Sequence, residues 1–173
     1  LNGYRVSVPL LGDLSMVAGL LDHVFVVGVG DPGHRRDFGR RIAAAGGRLH
    51  SVVHPSAYVT DTATIGVGCV VAPFAILAVD SAIHDNVAVN AYASVGHDCV
   101  VGTHSVMSPY STLNGYAELG STCLLGTHAS VASQVRVGRN SKVASGSVVL
   151  SDVPPGSLVS GTPGVARAKY PLD

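Results

Sequence analysis

Residues 89–107 read VNAYASVGHDCVVGTHSVM, and their spacing decides the fold. Val89, Val95, Val101 and Met107 recur every six residues, with Ala93, Cys99 and Ser105 four places behind the first three. Extended outward, the six-residue step runs without a slip from Val53 to Pro155, and 17 of its 18 positions are aliphatic or Met. The companion series from Ala57 to Val159 holds only small or β-branched residues. A period of six fits neither an amphipathic helix nor an alternating strand. It fits a triangular solenoid, in which each hexapeptide supplies a short strand and a corner, three make one coil, and coils stack at strand spacing. The aliphatic residue points inward, and so does the small residue, near a corner where space is scarce. The residue after each aliphatic is usually Gly, Ala, Ser or Asn, and is expected to take up the turn geometry. The fold class is therefore an all-β solenoid, a parallel β-helix over residues 53–160, whose ends need covering.

Before the repeat, over residues 1–52, the pattern changes. His23 to Val27 reads as a buried strand running into Gly28-Val29-Gly30-Asp31-Pro32. Asp31 suits a helix N-cap and Pro32 the first helical position, so a helix is expected from Pro32 to about Ala45, closed by Gly46-Gly47. Arg48 to Val53 reads as the next strand, which completes a partial Rossmann-like βαβ unit. Gly12-Asp13 could cap a short helix from Leu14 to Leu21. Gly28 and Gly30 could bring backbone close to a phosphate, although the third Gly of the dinucleotide fingerprint is missing. The chain opens at Leu1 inside what reads as continuing structure, so a further N-terminal segment is expected. Residues 161–173 form a C-terminal cap or tail carrying Arg167 and Lys169.

Composition narrows the function. Lys+Arg and Asp+Glu balance at 11 each, which gives no electrostatic footprint for nucleic acid or an anionic membrane. The longest apolar stretch, Val67 to Val79, contains Gly68 and Pro73 and is too short for a bilayer. Three cysteines without a CxxC argue against a disulfide framework and fit a cytoplasmic protein. Cys69, Cys99 and Cys123 all fall at the small inward position, so they read as packed side chains. Eight histidines are many for a chain with so few charges. His84, His97, His104 and His128 fall at or near corners, where side chains face outward. His97 is followed by Asp98 in a Val-Gly-His-Asp run, an arrangement that lets a histidine act as general base. Phe74, Tyr92, Tyr110 and His128, eighteen apart, should form an outward ladder.

The hexapeptides together with Val95-Gly96-His97-Asp98-Cys99-Val100-Val101-Gly102 resemble the left-handed β-helix acyltransferases, nearest to those that acetylate nucleotide-linked amino sugars and sialic acid. Phe25 to Gly30 and Val52 to Ala57 resemble the end of that group's nucleotide-sugar domain and its junction with the solenoid. The resemblance implies acetyl-CoA as co-substrate, no metal, a nucleotide-linked amino sugar as acceptor, and a homotrimer with sites between subunits. It implies His97 as general base with Asp98 as its partner, and Asn90 as a sugar contact. Gly115, Thr127 and Ser145 would line the acetyl-CoA groove, with phosphates toward Arg167 or Lys169; bulk at Gly115 should then raise the KM for acetyl-CoA. The family's second histidine, nine residues on, is Val106 here, with His104 two residues earlier. O-acetylation of a sugar hydroxyl uses the same base and stays open. A metal enzyme like the γ-class carbonic anhydrases needs two histidines five apart in one coil, which the solenoid lacks. A solenoid that only scaffolds would not need the His-Asp pair.

Overall fold

The computed structural model describes residues 9, 11–20 and 22–172. Each hexapeptide becomes two strand residues and a four-residue corner, as in Ser94–Val95, Val100–Val101 and Val106–Met107. Strands eighteen residues apart pair in parallel: Val95 lies between Leu77 and Leu113. Three sheets result. One runs from Tyr58–Val59 to Val148–Val149, a second from Thr64–Ile65 to Arg136–Val137, and a third from Val52–Val53 to Lys142–Val143. The third is extended by Ser157–Ser160 and, antiparallel to it, Val165–Ala168. The solenoid makes about six coils.

The two inward series fill the prism. Leu77, Val95, Val101, Met107, Leu113 and Leu125 are fully buried, and so are Ala93, Cys99, Ala117, Cys123 and Ala129. Each large aliphatic removed from water stabilises the coil by about 1.5–3 kcal/mol, and the short side chains at the corners let the chain turn. The three corners bear different chemistry. One carries Asp80, His97-Asp98 and Gly115-Tyr116; the second carries Asn86, His104, Thr122 and Asn140; the third carries Phe74, Asn90, Tyr92, Tyr110, Thr127-His128 and Ser145. On the third, the rings of Phe74, Tyr92, Tyr110 and His128 stack at centroid spacings of 5.1, 4.8 and 4.8 Å, the ladder expected from the repeat.

The turn geometry sits elsewhere than expected. The left-handed residue is the third after each aliphatic, as in Asp98 (φ 57°), His104 (φ 65°) and Tyr110 (φ 60°). Asp, Asn and His tolerate this region; at Tyr and Phe it is strained and is held by the stacked coils. The glycines directly after the aliphatics serve closeness instead. A Cβ on Gly102 would lie 2.5 Å from the Ser121 nitrogen, and one on Gly120 2.6 Å from that of Arg139.

Cys69, Cys99 and Cys123 are buried and form no disulfide. Burial pushes all three thiols up, Cys123 to about 11. None should therefore react with a water-soluble disulfide reagent at pH 8 until the chain is denatured, when all three should. Rapid labelling of the native protein would contradict this packing.

Ahead of the solenoid, β1 (Val24–Phe25) pairs in parallel with β2 (Arg48–Leu49), and α1 (Pro32–Ala44) connects them. Asp31 caps α1 by accepting the His34 N–H at 3.1 Å, Pro32 opens it, and Gly46 (φ 82°) follows its end, as the sequence suggests. The stretch Arg48 to Val53 is not one strand: it breaks after Leu49, and Val52–Val53 joins the solenoid by pairing with Val70–Val71. The expected short helix is a 3-10 turn over Leu14–Gly19, capped by Asp13. Its expected end at Leu21, and residues 1–8 of the N-terminal unit, lie outside the described residues.

Candidate active site

At the first corner the left-handed turn at Asp98 brings its carboxylate beside the preceding residue, with Oδ2 2.9 Å from His97 Nδ1. An ionised carboxylate only accepts, so Nδ1 carries the proton and Nε2 keeps its lone pair. His97 remains 57% exposed, so its ring is accessible from solvent. Tyr116, one coil on, meets the imidazole edge-on with 5.2 Å between centroids. Gly115 lies over the ring: a Cβ there would sit 2.4 Å from Nε2. A cavity of about 330 Å³ opens beside the pair, lined by Asp98, Tyr116, Glu118, Gln134 and Arg136, with Arg136 paired to Glu118 at 3.2 Å.

The contact at Gly115 changes the expected phenotype. Gly115→Ala displaces the imidazole, and a shift of about 1 Å in a catalytic group can cost on the order of 10²-fold in rate. A loss in kcat should therefore accompany the rise in the KM for acetyl-CoA. Steady-state kinetics with both substrates varied will separate this from the KM effect inferred from sequence.

Asn90 does not join His97; it occupies the third corner. Its Nδ2 donates to the Met107 carbonyl at 2.8 Å, the same tie Asn114 makes to Val131. With Gly28, Gly30, Arg35, Val70 and Ala88 it lines a cavity of about 90 Å³. A Cβ on Gly28 or Gly30 would meet nothing within 4 Å, so these glycines border open space. The loop is held by Arg35, which is 1% exposed. Its Nε donates to the Asn86 carbonyl at 2.6 Å, Nη1 to those of Val27 and Val29, and Nη2 to those of Gly68 and Val87, both at 3.3 Å. One buried guanidinium thus fastens the Gly28–Gly30 loop to the solenoid, and burial lowers its pKa. At the start of the same helix, Lys142 pairs with Asp31 at 3.2 Å.

Thr127 and Ser145 lie on the third corner, two and three coils beyond Asn90. Arg167 is exposed in Val165–Ala168, and the Lys169 N–H donates to the Gly156 carbonyl. The predicted residues thus divide into His97, Asp98 and Gly115 on one corner, and Asn90, Thr127 and Ser145 on another. His104 belongs to neither: at the second corner its Nδ1 lies 3.1 Å from Asn86 Nδ2, and Val106 is buried. Sequence reasoning missed Arg35 and Tyr116. Arg35 shares the buried face of α1 with Pro32, Gly39 and Ile42, at helical spacing, and that spacing was the available signal. Among the described residues, no group of three His, Cys, Asp or Glu could hold a metal ion, and no helix is long and apolar enough to cross a membrane.

No family model and no curated protein matches this chain. Solved structures do. PerB from Caulobacter crescentus, solved in complex with CoA and GDP-perosamine, superimposes with a TM-score of 0.90 at 32% identity over 94% of this chain and 80% of that one. The acetyltransferase domain of PglB from Neisseria gonorrhoeae FA1090, also solved with acetyl coenzyme A, gives 0.88 at 31% identity over 96% and 81%. WeeI from Acinetobacter baumannii AYE gives 0.87 at 25% identity over 96% and 82%. A perosamine N-acetyltransferase from Caulobacter crescentus has also been solved with one histidine changed to asparagine. Repeat, corner chemistry and these likenesses agree: the chain belongs to the left-handed β-helix, hexapeptide-repeat acyltransferases and is an acetyl-CoA-dependent sugar N-acetyltransferase.

Proposed function

We propose that this enzyme acetylates the amine of a nucleotide-linked amino sugar, with His97 as general base. The observation that carries the reading is the half-exposed His97–Asp98 pair, its ring packed beside Gly115. The amine attacks the thioester carbonyl and forms the C–N bond, and His97 Nε2 accepts the proton the nitrogen sheds. The tetrahedral adduct then breaks its C–S bond, and the departing thiolate of CoA takes up a proton. Asn90 contacts the sugar, and the N-terminal unit, residues 1–52, holds the nucleotide beside Gly28 and Gly30. Gly115, Thr127 and Ser145 border acetyl-CoA, whose phosphates face Arg167 and Lys169.

The division of these residues between two corners favours a homotrimer. One acetyl-CoA can meet Gly115 and Thr127 together when they come from adjacent chains, and a heterologous contact between prisms closes into a ring. A cytoplasmic location fits three thiols held outside any disulfide. GDP-perosamine in PerB makes a GDP-linked amino sugar the first acceptor to try. The test is a panel of GDP-, UDP- and dTDP-linked amino sugars with acetyl-CoA, reading released thiol and the product by mass and NMR. An amide on one of the amino sugars is expected. Turnover only on sugars bearing hydroxyls, with an ester as product, would favour O-acetylation instead.

A further inference from the structure

Three neighbours constrain the His97 imidazole, each differently. Its Nδ1–H donates to Asp98 at 2.9 Å, which sets the tautomer. Gly115 lies against Nε2, Cε1 and Cδ2, close enough that any Cβ there would overlap the ring. Tyr116 stands perpendicular to it, at 89° with 5.2 Å between centroids. The side chains of the His97–Asp98 pair are 57% and 37% exposed, and a pair so open to water holds its geometry weakly. One hydrogen bond also fixes only a point on the ring. A perpendicular aromatic contact fixes the plane, and rings favour it because the positive edge of one meets the negative face of the other.

The backbone makes this tyrosine costly where it stands. Its φ is 63°, in the left-handed region that Asn and Asp tolerate and a bulky side chain does not. Among the described residues, the left-handed positions that carry Phe or Tyr are Phe74, Tyr92, Tyr110 and Tyr116. Phe74, Tyr92 and Tyr110 stack on one another along the third corner. Tyr116 stands outside that stack, because the residues one coil before and after it are Asp98 and Gln134. It is 54% exposed, so burial offsets little of the strain. What its ring meets instead is His97. The peptide that carries it is held from both sides: the Tyr116 N–H donates to the His97 carbonyl at 3.0 Å, and the Gln134 N–H to the Gly115 carbonyl at 3.1 Å. Gly115 thus supplies a floor for the imidazole and Tyr116 a wall, both on backbone clamped between coils.

We propose that Tyr116 is a positioning residue for acetyl transfer: its ring holds the plane of the His97 imidazole so that Nε2 is presented to the reacting amine. Tyr116 acts through His97, and its role rests on His97 being the general base of the proposed reaction. Asp98 sets which nitrogen carries the proton, and Tyr116 sets where the other nitrogen points. The ring does this, not the hydroxyl.

Tyr116→Asn separates this role from a structural one. Asn relieves the backbone strain, so Tm should hold or rise, while kcat falls about ten-fold and the KM values for acetyl-CoA and the amino sugar stay put. Tyr116→Phe keeps the ring and should keep kcat. By NMR, the His97 ring protons should carry the ring-current shift of the neighbouring aromatic in the wild type and in Tyr116→Phe, and lose it in Tyr116→Asn. On a His97→Ala background, Tyr116→Asn should cost nothing further, because the ring it holds is gone. A kcat loss that persists in full without His97, or a raised KM with kcat intact, would place Tyr116 on a substrate and overturn the role. A Tyr116→Phe variant as slow as Tyr116→Asn would transfer the effect to the hydroxyl and overturn it too. Normal kcat in Tyr116→Asn beside a crippled His97→Ala overturns the positioning alone. Near-normal turnover by His97→Ala overturns the general-base reading itself, and the role with it.

Discussion

His97→Ala should lose about 10²- to 10⁴-fold in kcat, the usual contribution of a positioned general base, which is about 3–5 kcal/mol of barrier. The fold and the affinity for acetyl-CoA should persist, because His97 is more than half exposed and the corner is held by backbone pairing to the next coil. Asp98→Asn should cost less: the imidazole stays, but the 2.9 Å bond that leaves Nε2 unprotonated is weakened. Asn also tolerates the left-handed backbone at this position, so the loss is attributable to the charge. His104→Ala and His128→Ala should cost kcat far less, since neither occupies the position of His97 beside Asp98 and Gly115. Near-normal turnover by His97→Ala, with His104→Ala inactive, would reverse the assignment.

Arg35→Met should be the most destabilising substitution in the N-terminal unit. It removes donors to five backbone carbonyls, of Val27, Val29, Gly68, Asn86 and Val87, in a region with almost no solvent. Hydrogen bonds from a charged donor contribute about 1.5–3 kcal/mol each, and several here are long, so a loss of about 3–5 kcal/mol is expected. Thermal unfolding should show a fall of roughly 6–20 °C. Arg35→Lys should recover only part of it, because an ammonium cannot reach carbonyls on opposite sides of the guanidinium plane. The surviving enzyme should show a raised KM for the nucleotide sugar, whose proposed loop has come loose, more than for acetyl-CoA. A loss under about 1 kcal/mol would show that the loop is held by other contacts.

The solenoid was legible because its signal is repeated at every coil: an inward aliphatic each sixth residue leaves one register, and the core keeps it from Val59 to Val149, while Val53 at the open end is exposed. His97 and Asp98 were legible because neighbours in sequence stay neighbours in space. What lay beyond reach was long-range. A charged residue in an Arg-rich helix is ordinarily assigned to solvent. Only the approach of Gly68, Asn86 and Val87, between 33 and 52 residues away, makes Arg35 a buried fastener. The left-handed residue was misplaced because Gly is needed both for positive φ and for close approach, and composition does not distinguish them. Asn90 lies seven residues from His97, one corner on, which is compatible with the expectation of sites built between subunits.

That separation is the centre of the proposal, in which His97 of one chain acts on an amine held at Asn90 of another. The most direct measurement mixes two chains, His97→Ala and Asn90→Ala, each weakly active alone, by co-expression and purification as one assembly. If sites form between subunits, random mixing leaves about a quarter of them with both residues intact, and N-acetylation of the amino sugar should return to about that fraction of wild type. Activity no greater than that of the two parents would mean that each chain builds its site alone, and the account would be wrong.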